Sequence, residues 1–165
     1  MPTPKTMDDL FALELKDVYS AETQLLKALP KMAKAASDPE LKAGFEQHLR
    51  ETENQVRRLE QVAEELDVKL GRHTCEAMKG LIEEGKELMG QDLEDEVMDA
   101  GLIAAAQKVE HYEIATYGTL CAWAKLLGHT RAQQLLHETL EEERATDEKL
   151  TALAEREVNP VASGM

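Results

Sequence analysis

Glu110 and Glu113 stand where a bundle helix ordinarily puts leucine. Within Ala100–Leu127 one stripe at helical spacing runs Ala106, Glu110, Glu113, Tyr117, Leu120, Ala124, Leu127. Its steps alternate four and three, the seam that a helix turns toward its neighbours. A carboxylate on that seam is costly unless a cation or a hydrogen-bond donor meets it. Carboxylate oxygens are also the hard donors that divalent cations take. The chemistry to look for is therefore a positive charge held inside a helical core.

Three more stretches repeat the pattern. The first runs Phe11, Leu15, Val18, Glu22, Leu25, Leu29, Met32, with one glutamate near the middle. The second runs Leu41, Phe45, His48, Thr52, Gln55, Leu59, Val62, Leu66, apolar at both ends and polar between them, and Glu51 borders it one turn from His48 and Gln55. The last runs Leu136, Leu140, Glu143, Asp147, Leu150, Ala154. Acids halfway along helices of similar length can meet at one level of a core, where they would repel one another. Two doubly charged cations would resolve both the repulsion and the poor solvation. A metal-free polar layer, with protonated acids or lysine partners, is the alternative that the pattern leaves open.

The elements that must position these residues are four long helices, at about 6–36, 38–66, 94–127 and 130–157, in a single domain spanning 1–165. Thr6 with Asp9, Ser37 with Glu40 and Thr130 with Gln133 read as capping boxes. Pro30 should kink the first helix. The segment between the second and third long helices exceeds a tight turn and carries a short amphipathic helix, about 74–89, with Met78, Leu81 and Ile82. Such a crossover lets the flanking helices run parallel. Asn159-Pro160 and the small residues beyond it read as a frayed tail. The fold expected is an all-α four-helix bundle with a long crossover containing a short extra helix.

Composition agrees. The 165 residues are 32% charged and only 4% aromatic, with a formal charge of -14. That charge repels phosphate backbones and anionic membranes, so neither nucleic acid nor a membrane is expected as a partner. Cys75 and Cys121 form no zinc-like pair and no disulfide framework. No basic-then-apolar leader and no membrane-length apolar run is present, which gives a cytoplasmic reading.

Four blocks carry a family resemblance: Asp17-Val-Tyr-Ser-Ala-Glu22, His48-Leu-Arg-Glu-Thr52, Ile103 through Leu120, and Glu138 through Asp147. Together they resemble the YciE/YciF-like family of stress-associated bacterial proteins, in the ferritin-like superfamily and related to rubrerythrin. The resemblance implies a carboxylate-bridged di-iron site, and a homodimer. The superfamily uses a Glu on each of two helices and a Glu-x-x-His on each of the other two. Glu22 and Glu113 match the single glutamates, and Glu110 resembles an extra acid of rubrerythrin-like sites. Glu51 and Glu143 match the bridging positions.

The histidines of that pattern do not carry over: Asn54 and Thr146 stand three residues after Glu51 and Glu143. His48 or Gln55, and Asp147, could substitute from one turn away. The expected metal ligands are thus Glu22, Glu51, Glu110, Glu113 and Glu143, with His48, Gln55 and Asp147 secondary. An oxygen-rich set suits iron or manganese, with magnesium or calcium as further candidates; the relatives favour iron, as two ions. The activity implied is Fe(II) oxidation by dioxygen or peroxide. The alternative is a non-catalytic structural or interaction bundle whose metal, if any, only holds the helices together. Tyr19, Tyr112 and Tyr117 are candidates to hydrogen-bond the acids, whereas His73, His111, His129 and His137 read as turn, packing or surface residues.

Overall fold

A computed structural model describes residues 2–164. The helices are α1 (Met7–Ala35), α2 (Pro39–Glu65), α3 (Glu76–Met89), α4 (Asp95–Leu126) and α5 (Thr130–Leu153). A π-helical turn (Ala154–Val158) then leads into a short α6 (Asn159–Ala162). Among the described residues there is no strand.

The four long helices form a ring in which α1 neighbours α2 and α4, and α5 neighbours α2 and α4. Short turns make α1–α2 and α4–α5 antiparallel. Asp99, near the start of α4, accepts the N–H groups of Ser37 (2.8 Å) and Asp38 (2.9 Å) at the start of α2. That contact places the two starts at one end of the bundle, so α2 and α4 run parallel across the diagonal. α3 lies against α1 and α4.

Helix ends follow local chemistry. The Thr6 hydroxyl accepts from the Asp9 N–H and the Asp9 carboxylate from the Thr6 N–H, each at 3.1 Å, a complete capping box. α1 continues through Pro30 to Ala35. Three details depart from the sequence reading. The cap of α2 is Asp38, one residue after Ser37; it accepts from the Leu41 N–H at 2.8 Å and lets Pro39 take the first helical position. Thr130 lies inside α5, whose cap residue, His129, makes no side-chain capping bond. The tail is helical to Ala162 instead of frayed. Pro160 removes one backbone donor there, and the wider π turn lies just before it with Ala154 and Val158 buried.

The core divides in two. One apolar cluster gathers Leu25, Leu29, Met32, Leu41, Phe45, Met78, Leu102 and Leu150. The other gathers Phe11, Leu15, Val18, Leu59, Val62, Tyr117, Leu120 and Leu136. Between them, on every long helix of the ring, lies a buried polar layer: Glu22 on α1; His48, Thr52 and Gln55 on α2; Glu110 and Glu113 on α4; Glu143 on α5.

Candidate metal centre

Glu22, Glu110, Glu113 and Glu143 are each 0% exposed, and His48 is 2% exposed. Each is on a seam because apolar residues three, four or seven positions away hold that face inward. Their donor atoms form two groups of three, His48–Glu110–Glu143 and Glu22–Glu113–Glu143, with all atoms of a group within 4.8 Å of one another. Glu143 belongs to both.

The hydrogen-bond inventory is lopsided. His48 Nε2 lies 3.1 Å from Glu110 Oε1 and 3.9 Å from Glu143 Oε2. Even the shorter contact lacks hydrogen-bond geometry, and both atoms rank as buried without a partner. Both carboxylate oxygens of Glu110, Glu113 and Glu143, and Oε2 of Glu22, are likewise unpartnered. Native interiors rarely leave buried polar atoms unmatched. Donor atoms gathered within 4.8 Å of one another, with no other protein partner, are what an ion between them requires. Charge fits too: the four glutamates sum to four negative charges, balanced by two divalent cations.

Without cations three of these acids are biased toward their protonated forms. Burial, and then the nearby Glu143 carboxylate, push Glu22 up to about 8. The same two causes raise Glu110 and Glu113 well above the ordinary carboxylate range. Tyr117 is fully buried and donates to Glu22 Oε1 at 2.7 Å.

Three of the sequence candidates stand outside the two groups. Glu51 is half-buried, accepting from Gln47 (3.3 Å) and Thr146 (3.3 Å). On α2 the core-facing residues at this level are His48, Thr52 and Gln55. Thr52 and Gln55 have the Glu-x-x-His spacing, so a threonine stands in the carboxylate's place and a glutamine in the histidine's. Glu51, one residue before Thr52, lies outside both donor groups. The Thr52 hydroxyl donates to the His48 carbonyl at 2.8 Å. Gln55 is buried and donates to Glu142 at 3.3 Å, with its Oε1 unpartnered beside the cluster. Asp147, 20% exposed, turns outward to His111 (3.1 Å) and Gln107 (3.3 Å).

Other features escape the sequence altogether. Arg58 clasps Glu142 through two bonds (2.5 and 3.0 Å) and reaches Thr139 at 3.1 Å, closing the α2–α5 side of the site. Of the three tyrosines only Tyr117 touches a cluster acid; Tyr19 donates to Glu60 (3.1 Å) and Tyr112 to Asp17 (2.8 Å). His73 is not a free turn residue: it pairs with Asp17 at 2.7 Å. Asp17 and Cys75, both bonded to Tyr112, tie α1 and the start of α3 to α4. Signals for these pairs are weak, because each partner lies dozens of residues away.

An all-α bundle with a buried acid-and-histidine layer able to hold metal is thus the class of protein that the fold and site define. Residues 6–163 match the family described as domain of unknown function DUF892, and the chain belongs to that family. It is 54% identical over 159 residues to protein YciF of Escherichia coli strain K12, covering 96% of each chain. The crystal structure of YciF, described as a stress protein, superposes with a TM-score of 0.91, covering 94% of this chain and 99% of that one. YcfI from Rhodopseudomonas palustris, provisionally described as a structural protein, is 46% identical with a TM-score of 0.86, covering 89% and 94%. A Xanthomonas campestris structure at 22% identity and a TM-score of 0.76, covering 96% and 97%, shares the fold. Among the described residues no helix is long and apolar enough to cross a membrane.

Proposed function

We propose that this chain is a carboxylate-bridged dinuclear iron protein of the stress response, oxidising Fe(II) with peroxide or dioxygen. The observation that carries the proposal is the sharing of Glu143 between two three-donor groups. His48 and Glu110 would hold one ion, Glu22 and Glu113 the other, and Glu143 would bridge them. Glu51 and Asp147 are left out of this ligand set, because the former bonds Gln47 and Thr146 and the latter bonds His111 and Gln107. Four carboxylates and one imidazole suit Fe(II), with Mn(II) as the substitute. Two ferrous ions, when bound, supply the two electrons that split a peroxide O–O bond.

The chain's own residues prepare the place. Tyr117 fixes Glu22 by its hydroxyl. The apolar clusters on either side exclude water and lower the local dielectric, which strengthens attraction between cation and carboxylate. Cation binding must displace the protons that burial leaves on Glu22, Glu110 and Glu113.

The test is metal content by mass spectrometry after purification without chelator, followed by stopped-flow mixing of the Fe(II)-loaded chain with peroxide or oxygen. The expected result is two irons per chain and oxidation faster than in buffer, abolished by Glu113→Ala. Bound iron with oxidation no faster than in buffer would overturn the redox reading in favour of the structural one, which the description of YcfI favours. The family resemblance also supports a cytoplasmic homodimer, to be tested by light scattering.

A further inference from the structure

The second donor group takes nothing from α2. His48 gives that helix's share to Glu110 and Glu143, whereas Glu22, Glu113 and Glu143 belong to α1, α4 and α5. Gln55 is the α2 residue in register to fill the gap. α2 and α4 run parallel, and His48 stands 3.1 Å from Glu110. Gln55 follows His48 by seven residues and Tyr117 follows Glu110 by seven, so the two share a level. From that level Tyr117 reaches Glu22 at 2.7 Å. Gln55 thus stands on the Glu22 side of the layer, about two turns from His48.

The Gln55 amide has a defined sense. The Glu142 carboxylate, clasped by Arg58 through two bonds (2.5 and 3.0 Å), only accepts, so its partner at 3.3 Å is the Gln55 Nε2–H. Glu142 is 26% exposed and marks the solvent side. Oε1, the other end of the amide, is turned from it into the interior, with Gln55 0% exposed and Oε1 unpartnered. Among the described residues, the other unmatched buried side-chain atoms are carboxylate oxygens of the layer and the two nitrogens of His48. An acceptor buried among acceptors is costly, and a cation relieves the cost. Glu22, raised mainly by burial and by Glu143, also feels the Glu142 charge, which puts the Gln55–Glu142 pair within electrostatic reach of the Glu22 group.

Given the dinuclear reading above, on which this assignment rests, we propose that Gln55 Oε1 is a fourth protein donor to the ion at Glu22, Glu113 and Glu143. Glu142 and Arg58 are positioning residues that hold the amide with its oxygen inward. The two groups then differ in kind: three carboxylates and an amide against two carboxylates and an imidazole. An amide oxygen adds a donor without adding charge, so four carboxylates still balance two divalent cations.

The test uses the full chain with two probes. Saturating Zn(II), which is diamagnetic, is added to the ¹³C,¹⁵N-labelled protein, and the side-chain carboxamide signals are followed by NMR. The Gln55 ¹³Cδ signal should move further than that of any other glutamine. Anaerobic Fe(II) competition with a chelator then reads the two affinities. Gln55→Leu should weaken one ion at least about tenfold, the smallest cost of losing a group that merely supports a ligand, and leave the other unchanged. At a free Fe(II) where Gln55→Leu and His48→Ala each hold one ion, the double variant should hold none. Glu142→Ala should weaken the same ion as Gln55→Leu and add nothing in the Gln55→Leu background.

Gln55→Leu should unfold without metal at or above the wild-type Tm, since it removes an unmatched buried acceptor; if that variant folds poorly, the wild-type carboxamide signal decides alone. Two bound ions with an unmoved Gln55 signal, both affinities unchanged in Gln55→Leu, or one ion kept by the double variant would each overturn the assignment and leave the dinuclear site standing. A Glu142→Ala loss that persists in full in the Gln55→Leu background would show that Glu142 acts by its charge and overturn its positioning role. A wild-type chain that takes up neither Fe(II) nor Zn(II) would sink the dinuclear reading itself.

Discussion

Tyr117 Oη lies 2.7 Å from Glu22 Oε1, and both side chains are sealed from solvent. One oxygen of Glu22 is thereby satisfied, and the other, unpartnered, is left for the cluster. In the proposed site the hydroxyl would orient a ligand without being one. Tyr117→Phe keeps the ring in the apolar cluster and removes only the donor. Hydrogen-bonding partners of metal ligands are worth about 10–100-fold in affinity. Chelator competition should show a loss of that size with the stoichiometry intact; unchanged affinity would mean that Glu22 needs no support.

Sharing of Glu143 makes stoichiometry diagnostic. His48→Ala removes one donor from a single group, so one ion per chain should survive. Glu143→Ala strips a donor from both groups, so both ions should weaken together. Metal analysis at equal free Fe(II) separates the cases. If Glu143→Ala retained two ions, the carboxylate would not be the link between them.

Glu113→Leu tests whether the layer is maintained for binding rather than for stability. Both Glu113 oxygens are buried and unpartnered, and the residue sits among other raised carboxyls. Replacing uncompensated buried acids with apolar side chains is often neutral or stabilising by about 1–4 kcal/mol. Urea unfolding in chelator should place the variant at or above the wild type while its metal is lost. A metal-free variant weaker by more than about 2 kcal/mol would instead show an internal hydrogen-bond network at work.

The acids on α1, α4 and α5 were legible because the surrounding apolar residues fix the helix phase. Glu22 has Val18 and Leu25 about one turn to either side, and Glu113 has Tyr117 and Leu120 beyond it. On α2 the phase was ambiguous: from His48 to Gln55 the face is polar throughout, and nothing local separated Glu51 from Thr52. Asp147 lies outside the two donor groups for a related reason. It follows Glu143 by four, but a helix turns every 3.6 residues, and the next buried position is Leu150. Asp99 with the start of α2, and Arg58 with Glu142, are partnerships between distant segments that no periodicity encodes.

Asp67 offers a check on the scaffold alone. It follows α2 with φ of 53°, the left-handed region, while Val68 N–H reaches the Ala63 carbonyl at 2.8 Å. This is the bonding of a glycine-terminated helix end, and Gly128 after α4 fills the equivalent place with φ of 77°. The Asp67 side chain is exposed and makes no capping bond to α2. Asp67→Gly should therefore stabilise the metal-free bundle by about 0.5–1 kcal/mol, or about 2 °C in Tm. A lower Tm would show that the aspartate contributes something the backbone does not reveal.

Acidity gives the last test, because the metal-free and loaded bundles should respond to pH in opposite senses. In the metal-free chain Glu22 keeps its proton up to about 8, against an ordinary value of 4.5, and Glu110 and Glu113 shift the same way. Below 4.5 folded and unfolded chains both hold these protons, so their contribution to stability is fully present. Between 4.5 and about 8 the unfolded chain releases the Glu22 proton while the folded chain keeps it, Glu110 and Glu113 acting in the same sense, and stability falls as pH rises, by on the order of 1 kcal/mol per pH unit from Glu22. Cations reverse the sense: they bind the ionised carboxylates and expel the protons, so affinity climbs over the same window. Urea unfolding at pH 5, 6, 7 and 8, with chelator and with saturating Fe(II) under anaerobic conditions, should give a falling series and a rising or level one. Two parallel series would mean that the acids are already ionised without metal, compensated by something other than protons.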